Sequence, residues 1–93
     1  MAKQAAAESH ESKTTTDHDE IRSWVERRGG NPARVEGTNV LRIDYPGFTG
    51  EDTLEQIDWD EFFKLFDKNK LAFLYQERTK DGGLSRFSKF VER

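Results

Sequence analysis

The stretch EFFKLFDKNKLAFLYQ, residues 61–76, passes from a helical pattern to a strand pattern across one polar turn. Its first half resembles part of an EF-hand calcium site, with Asp67 at the first loop position and Asn69 at the third. The sixth position of that loop requires glycine and the twelfth a bidentate glutamate, but the residues here are Ala72 and Arg78. The stretch therefore predicts a helix, a turn and a strand, and no calcium site.

The helix in this stretch has a strong start signal. Asp58 followed by Glu61 matches a capping box, and Ile57 and Phe62 have the spacing of a hydrophobic staple. Its apolar face consists of aromatic residues, namely Trp59, Phe62, Phe63 and Phe66. The strand that follows, LAFLYQ, is apolar on both faces, which is typical of a central strand.

An earlier helix is indicated by TDHDEIRSWVERRGGNP, residues 16–32. Thr16 or Asp17 can cap its start, and one face carries apolar residues and an arginine at helical spacing, Ile21, Trp24, Val25 and Arg28. Acidic residues lead and Arg27 and Arg28 follow, which complements the helix dipole. Gly29 predicts a left-handed C-terminal stop.

The remaining segments favour strands. A short strand is indicated at residues 34–36, and the alternation over residues 40–45 predicts a half-buried strand that ends at Pro46. Residues 48–53 are expected to form a loop. Residues 84–91 fit either a helix capped by Ser85 or a strand returning after a turn at Asp81 and Gly82, and a strand or irregular return is slightly favoured.

These elements predict an α+β domain, with a small, mostly antiparallel sheet of three to four strands and two helices packed on one face. The domain is expected to span residues 17–93. Residues 1–16 contain no aromatic and no β-branched aliphatic residue, so they are expected to form a disordered leader.

Composition narrows the function classes. The 93 residues include no cysteine and carry a formal net charge of −3, and no apolar run approaches the roughly 18 residues of a membrane span. We therefore expect a cytoplasmic protein without a membrane anchor. The two histidines are His10, in the leader, and His18, whose acidic neighbours on one helical turn point in different directions. We predict no catalytic residues, no metal site and no cofactor.

Two stretches are candidate ligand sites. RRGGNPAR, residues 27–34, places arginines around a glycine turn, where guanidiniums and backbone amides could hold an anion. The candidates there are Arg27, Arg28, Gly29, Gly30 and Arg34. Tyr45 and Phe48, beside Pro46 at a strand end, are candidates for an exposed aromatic platform. A structural role as helix stop or core closure was the competing interpretation in both places.

Three segments resemble a family of short bacterial proteins of unknown function: DHDEIRSWVERRGGNPARVEGT, LRIDYPGF and IDWDEFFKLFDKNKLAFLYQE. The similarity extends over residues 17–91, and it implies a small, bacterial, cytosolic, stand-alone domain. Some members of that family carry the label 1,4-alpha-glucan branching enzyme. Such enzymes use a (β/α)₈ barrel of about 250 residues, so the length of this chain argues against that activity.

The sequence therefore favours a non-catalytic binding or adaptor module with a protein partner, acting as a monomer or weak dimer. Nucleic-acid binding through the Arg27–Arg34 turn is one alternative, opposed by the acidic net charge. An accessory glucan-binding protein, using Tyr45 and Phe48 for stacking, is the other.

Overall fold

The computed structural model describes residues 12–47, 50 and 53–93. Its elements, in chain order, are β1 (Ser12–Thr15), α1 (His18–Arg27), β2 (Asn31–Val35), β3 (Leu41–Asp44), β4 (Leu54–Gln56), α2 (Trp59–Lys68), β5 (Leu71–Gln76) and β6 (Ser88–Glu92). The predicted α+β class is confirmed. The described residues form six strands, arranged in two antiparallel sheets of three.

The sheets have the strand orders β1-β5-β6 and β3-β2-β4. The central strand of each sheet, β5 in the first and β2 in the second, is paired on both edges by its two neighbours. The edge strands β3 and β6 do not pair with each other. The strands thus form two sheets in place of the single sheet that was predicted.

Both helices begin at the predicted caps. The carboxylate of Asp17 accepts hydrogen bonds from the backbone amides of Asp19 and Glu20 at 2.9 and 3.2 Å. The carboxylate of Asp58 accepts from the amide of Glu61 at 2.8 Å. These bonds satisfy amides that have no partner inside the helix. Gly29 follows α1 with a φ of +75°, as a left-handed stop requires.

One core joins the helices to both sheets. It contains Ile21, Trp24 and Val25 from α1, Leu41 from β3, Phe62, Leu65 and Phe66 from α2, and Phe73 and Tyr75 from β5. Phe73 and Tyr75 lie on the same face of β5 and contact the Trp24 ring edge-on, at centroid distances of 5.3 and 5.8 Å. The predicted placement of Trp24 on a buried helix face is confirmed.

The prediction of a disordered leader over residues 1–16 is wrong for residues 12–15. They form β1, which pairs with β5 in the register Thr14↔Leu74. The prediction relied on apolar content, but an edge strand is held mainly by backbone hydrogen bonds and needs few apolar side chains. Residues 1–11 lie outside the described residues.

The C-terminal segment forms β6, so the strand alternative for residues 84–91 is confirmed over residues 88–91. The register Phe73↔Phe90 places Phe90 against the core, with ring centroids 5.5 Å apart. Phe87, just before this strand, is 45% exposed. Neither helix in the described ranges is long and apolar enough to cross a membrane.

Candidate ligand-binding cleft

Arg28, one of the predicted ligand residues, is a buried structural cation. Its side chain is 1% exposed and its guanidinium lies 4.1 Å from the Trp24 ring centroid. It donates to the carbonyl oxygens of Trp24 at 2.9 Å, of Glu77 at 2.7 Å and of Ser85. Burial lowers the pKa of Arg28, and the Glu77 carboxylate opposes this shift. Arg28 thus connects the end of α1 to the segment between β5 and β6, and it is not open to a ligand.

The other two arginines of the basic turn also make intramolecular ion pairs. Arg34, on β2, forms a two-pronged pair with Glu55 on β4, with both N–O distances at 3.3 Å. Arg27 lies 3.6 Å from the Glu77 carboxylate, but more than half of its side chain is exposed. The structure therefore does not present the three arginines as one open anion site, and only Arg27 keeps a largely exposed side chain.

Gly30 has a packing role. A Cβ atom at this position would lie 2.8 Å from Cγ2 of Ile43, 2.9 Å from Cε1 of Tyr45 and 3.0 Å from Cγ1 of Val25. Cβ atoms in proteins essentially never approach another atom closer than 3.0 Å, and these distances are at or below that limit. Glycine is thus required for the close approach of the α1–β2 turn to β3.

A cleft of about 770 Å³ lies between the edge strands β3 and β6. The described residues that line it are Asn39, Val40, Leu41, Arg42, Ile43, Tyr45, Asn69, Leu71, Arg86, Ser88, Lys89 and Phe90. Its apolar part includes Leu41, Ile43, Leu71 and Phe90, all of which belong to the core or pack against it. The cleft is therefore a gap between the two sheets whose floor is the protein core.

The rim of this cleft is cationic. Arg42, Arg86 and Lys89 line it, and the described lining residues include no carboxylate. Arg86 and Lys89 make no ion pair within the described part of the chain, although the protein has a net charge of −3. The rim thus concentrates positive charge on an acidic protein.

Tyr45 forms one wall of the cleft. The guanidinium of Arg86 lies 4.9 Å from its ring centroid, a cation–π distance that links the end of β3 to the segment before β6. The hydroxyl of Tyr45 is buried and has no hydrogen-bond partner among the described residues. Burial raises the pKa of Tyr45. One ring face is thus occupied by Arg86, while Phe48, the other predicted platform residue, lies outside the described residues.

The outer edge of β3 faces the cleft and pairs with no other strand among the described residues. Val35 N donates to Val40 O at 2.9 Å, so residues 35 and 40 form a hydrogen-bonded pair at the start of the β2–β3 ladder. Hydrogen-bonded and non-hydrogen-bonded pairs alternate in an antiparallel ladder. Leu41 and Ile43 therefore occupy non-hydrogen-bonded positions, opposite Arg34 and Pro32. Their N–H and C=O groups point away from β2, and the Leu41 carbonyl oxygen accepts a hydrogen bond from Nη1 of Arg42 at 3.1 Å.

The same alternation applies to β6. Gln76 N donates to Phe87 O at 3.2 Å, and Arg93 N donates to Lys70 O at 2.9 Å, so these pairs mark the hydrogen-bonded positions of the β5–β6 ladder. Ser88 and Phe90 fall at the positions between. Their backbone groups point away from β5, and no described residue bonds to them. Two strand edges that pair with no other described strand thus border one cleft.

Of the candidate ligand residues predicted from the sequence, Tyr45 lines this cleft, whereas Arg86, Lys89 and Phe90 were not predicted as ligand residues. Arg86 and Lys89 stood in a segment whose conformation was open between helix and strand. The turn at Asp81 and Gly82 favoured a returning strand, which pairs with β5, but no local signal indicated that this strand would lie opposite β3.

Polar clusters elsewhere are small. His18 Nε2 lies 3.0 Å from the Asp67 carboxylate, which also accepts from Arg93 at 2.6 Å. His18 stacks on Phe63, with ring centroids 4.1 Å apart. Within the described residues no group of three or more His, Cys, Asp or Glu side chains is arranged to hold a metal ion. The His18–Asp67–Arg93 cluster links the start of α1 to the end of α2 and to the C-terminus.

Comparison with known proteins gives no family assignment: no protein-family model matches the chain, and no curated protein or solved structure is significantly similar to it. The family resemblance of the sequence motifs stays a prediction.

Proposed function

We propose that this protein is a non-catalytic binding module, and that its ligand is an apolar molecule or segment carrying negative charge, held in the cleft between β3 and β6. The observation that supports this proposal is the combination of an apolar floor with a cationic rim in one concave site. Leu41, Ile43 and Phe90 supply the apolar contact. Arg86 and Lys89 supply the charge.

The cleft supports this function better than the basic turn supports nucleic-acid binding. Phosphate contacts need several cations that are free to release counterions, whereas Arg28 is buried and Arg34 is paired with Glu55. Glucan stacking needs an open aromatic face, whereas one face of the Tyr45 ring is covered by the guanidinium of Arg86.

The test compares two probes of equal apolar length and opposite charge, decanoate and decyltrimethylammonium, both below their critical micelle concentrations. Each is titrated into isotopically labelled protein, and backbone amide shifts are followed by NMR. We expect decanoate to shift the amides of residues 40–45 and 86–90 saturably, and the cation to bind at least about tenfold more weakly, because the rim repels it.

Charge-reversed variants complete the test. Arg86→Glu with Lys89→Glu should reverse the preference between the two probes. Lys64→Glu with Lys80→Glu changes the net charge equally at exposed positions outside the cleft, and it should preserve the decanoate preference. Equal binding of both probes, or shifts located elsewhere on the protein, would refute the proposal.

A further inference from the structure

We infer that the ligand is an extended peptide segment that adds as a strand between β3 and β6 and joins the two sheets into one. This inference rests on the proposed function and specifies the ligand class. A strand in this position would be bordered by both edges, giving the order β1-β5-β6-peptide-β3-β2-β4, in which the first three and last three strands are the observed ones. Strand addition is a common mode of peptide recognition, because main-chain bonds supply affinity independently of sequence.

The backbone groups of the two edges are placed for pairing with an added strand. Leu41 and Ile43 on one side, and Ser88 and Phe90 on the other, direct their N–H and C=O groups away from their own sheets. Nη1 of Arg42 donates to the Leu41 carbonyl oxygen, and a peptide amide would replace this side-chain donor. Strand edges that pair with no other strand are templates for pairing with another chain. A strand inserted between them would lie about 4.8 Å from each neighbour and could satisfy both rows.

The alternation of side chains along β3 and β6 predicts the sequence pattern of the peptide. Leu41 is buried and Ile43 packs against the core, whereas Arg42, between them, is exposed on the opposite face. Phe90 packs against the core, and the adjacent Lys89 is exposed. Cross-strand neighbours lie on the same face of a sheet. Inward residues of the peptide would therefore meet Leu41, Ile43 and Phe90, and its outward residues would meet Lys89.

The preferred peptide thus alternates apolar and acidic residues. The alternation extends over about five positions, because each neighbouring edge offers only three residues for pairing. Acidic side chains that face cations across neighbouring strands stabilise the pairing. The same alternation excludes a basic peptide, because like charges opposite each other are destabilising.

The experiment is selection of random ten-residue peptides, displayed on phage, against the full chain and against Arg86→Glu with Lys89→Glu. We expect the full chain to enrich peptides that alternate apolar residues with Asp or Glu, and the charge-reversed protein to lose them. The most enriched peptide is then synthesised in three forms: unmodified, and N-methylated at either odd or even backbone positions. Because the strand uses one row of amides for β3 and the other for β6, both methylated forms should bind at least tenfold more weakly.

Hydrogen exchange provides a readout inside the protein. On binding of the unmodified peptide, the amides of Leu41, Ile43, Ser88 and Phe90 should exchange at least tenfold more slowly. The amides of Arg42 and Lys89 occupy hydrogen-bonded positions facing β2 and β5, so their exchange should change little. They are the internal control.

Three outcomes overturn the inference: no enrichment of alternating acidic peptides, methylated peptides that bind as tightly as the parent, or slowed exchange that is uniform along β3 and β6. The decanoate titration separates the two proposals. Decanoate binding in the cleft without strand addition leaves the proposed function standing and removes only the peptide. If decanoate and peptides both fail, both proposals are wrong.

Discussion

The guanidinium of Arg28 stacks on the ring of Trp24 at 4.1 Å while its Nη1 donates to the carbonyl oxygen of that same residue at 2.9 Å. The remaining donors reach the carbonyls of Glu77 and Ser85. Trp24 Nε1 in turn donates to Gln76 O at 2.8 Å. This pair therefore holds the end of α1 to the β5–β6 connection, and so it positions the segment that leads into the cleft.

Replacing Arg28 with Ala should lower the free energy of unfolding by about 3 kcal/mol, because buried carbonyl groups lose their donors. Arg28→Lys should recover only part of this loss, since an ammonium group lacks the planar fork of donors. Urea unfolding of the variants measures both effects. Arg27→Ala is the control, as an exposed arginine beside the same carboxylate, and it should cost less than about 1 kcal/mol. Equal effects at the two positions would contradict a structural role for Arg28.

Gly30→Ala should destabilise the fold by about 1–3 kcal/mol, because the added methyl group overlaps the side chains of Ile43 and Tyr45. Displacement of these two side chains should also alter the cleft wall and perturb the NMR signals of the β3 amides. At Gly83 the same methyl group meets only Thr79 Oγ1, at 3.7 Å, which is ordinary contact. Gly83→Ala should therefore leave the melting temperature nearly unchanged. A neutral Gly30→Ala variant would show that the turn can move away from β3.

Tyr75 and Tyr45 should respond differently to removal of their hydroxyl groups. Tyr75 donates its hydroxyl hydrogen to Glu20, so Tyr75→Phe should lose about 1.5 kcal/mol of stability. The Tyr45 hydroxyl is buried without a partner among the described residues. Tyr45→Phe should therefore be neutral or stabilising by up to about 1 kcal/mol. Chemical unfolding of the two variants tests this contrast, which fails if Tyr45→Phe is the more damaging change.

Acid should weaken the contact between α1 and α2. Hydrogen bonding by His18, and to a smaller extent by Arg93, lowers the pKa of Asp67 below its ordinary value of 3.8. A carboxyl group whose pKa is lower in the folded state stabilises the fold above the unfolded-state pKa, and this contribution disappears as the pH falls through the folded-state pKa. The free energy of unfolding should therefore fall below about pH 4 more steeply in the wild type than in Asp67→Asn.

The control for this pH dependence is Asp81→Asn, at an exposed turn position away from the cluster. It should keep the acid sensitivity of the wild type. Parallel curves for the wild type and Asp67→Asn between about pH 2 and 5 would refute a role for Asp67 in acid unfolding.

Local signals were sufficient to predict much of the fold. Helix caps, helix stops and apolar strands depend on residues within about four positions of each other, so short stretches of sequence are enough to indicate them. Examples are the caps at Asp17 and Asp58, the stop at Gly29 and the apolar strand β5. The helices, the central strand and the burial of Trp24 were therefore predicted correctly. The same reasoning could not place β1, because an edge strand depends on the pairing partner it meets and not on its own apolar content.

The candidate site depended on contacts between distant residues. Arg28 was predicted to bind ligand because basic residues at a glycine turn suit anions, yet the β5–β6 connection, about 50 positions later in the chain, surrounds its guanidinium with carbonyl groups. Arg86 and Lys89 drew no prediction, and long-range pairing of β6 with β5 placed them across from Tyr45 and β3. Side-chain chemistry and local periodicity are properties of the sequence, whereas burial, edge exposure and the joining of two walls into a cleft arise only when separate segments pack on one core.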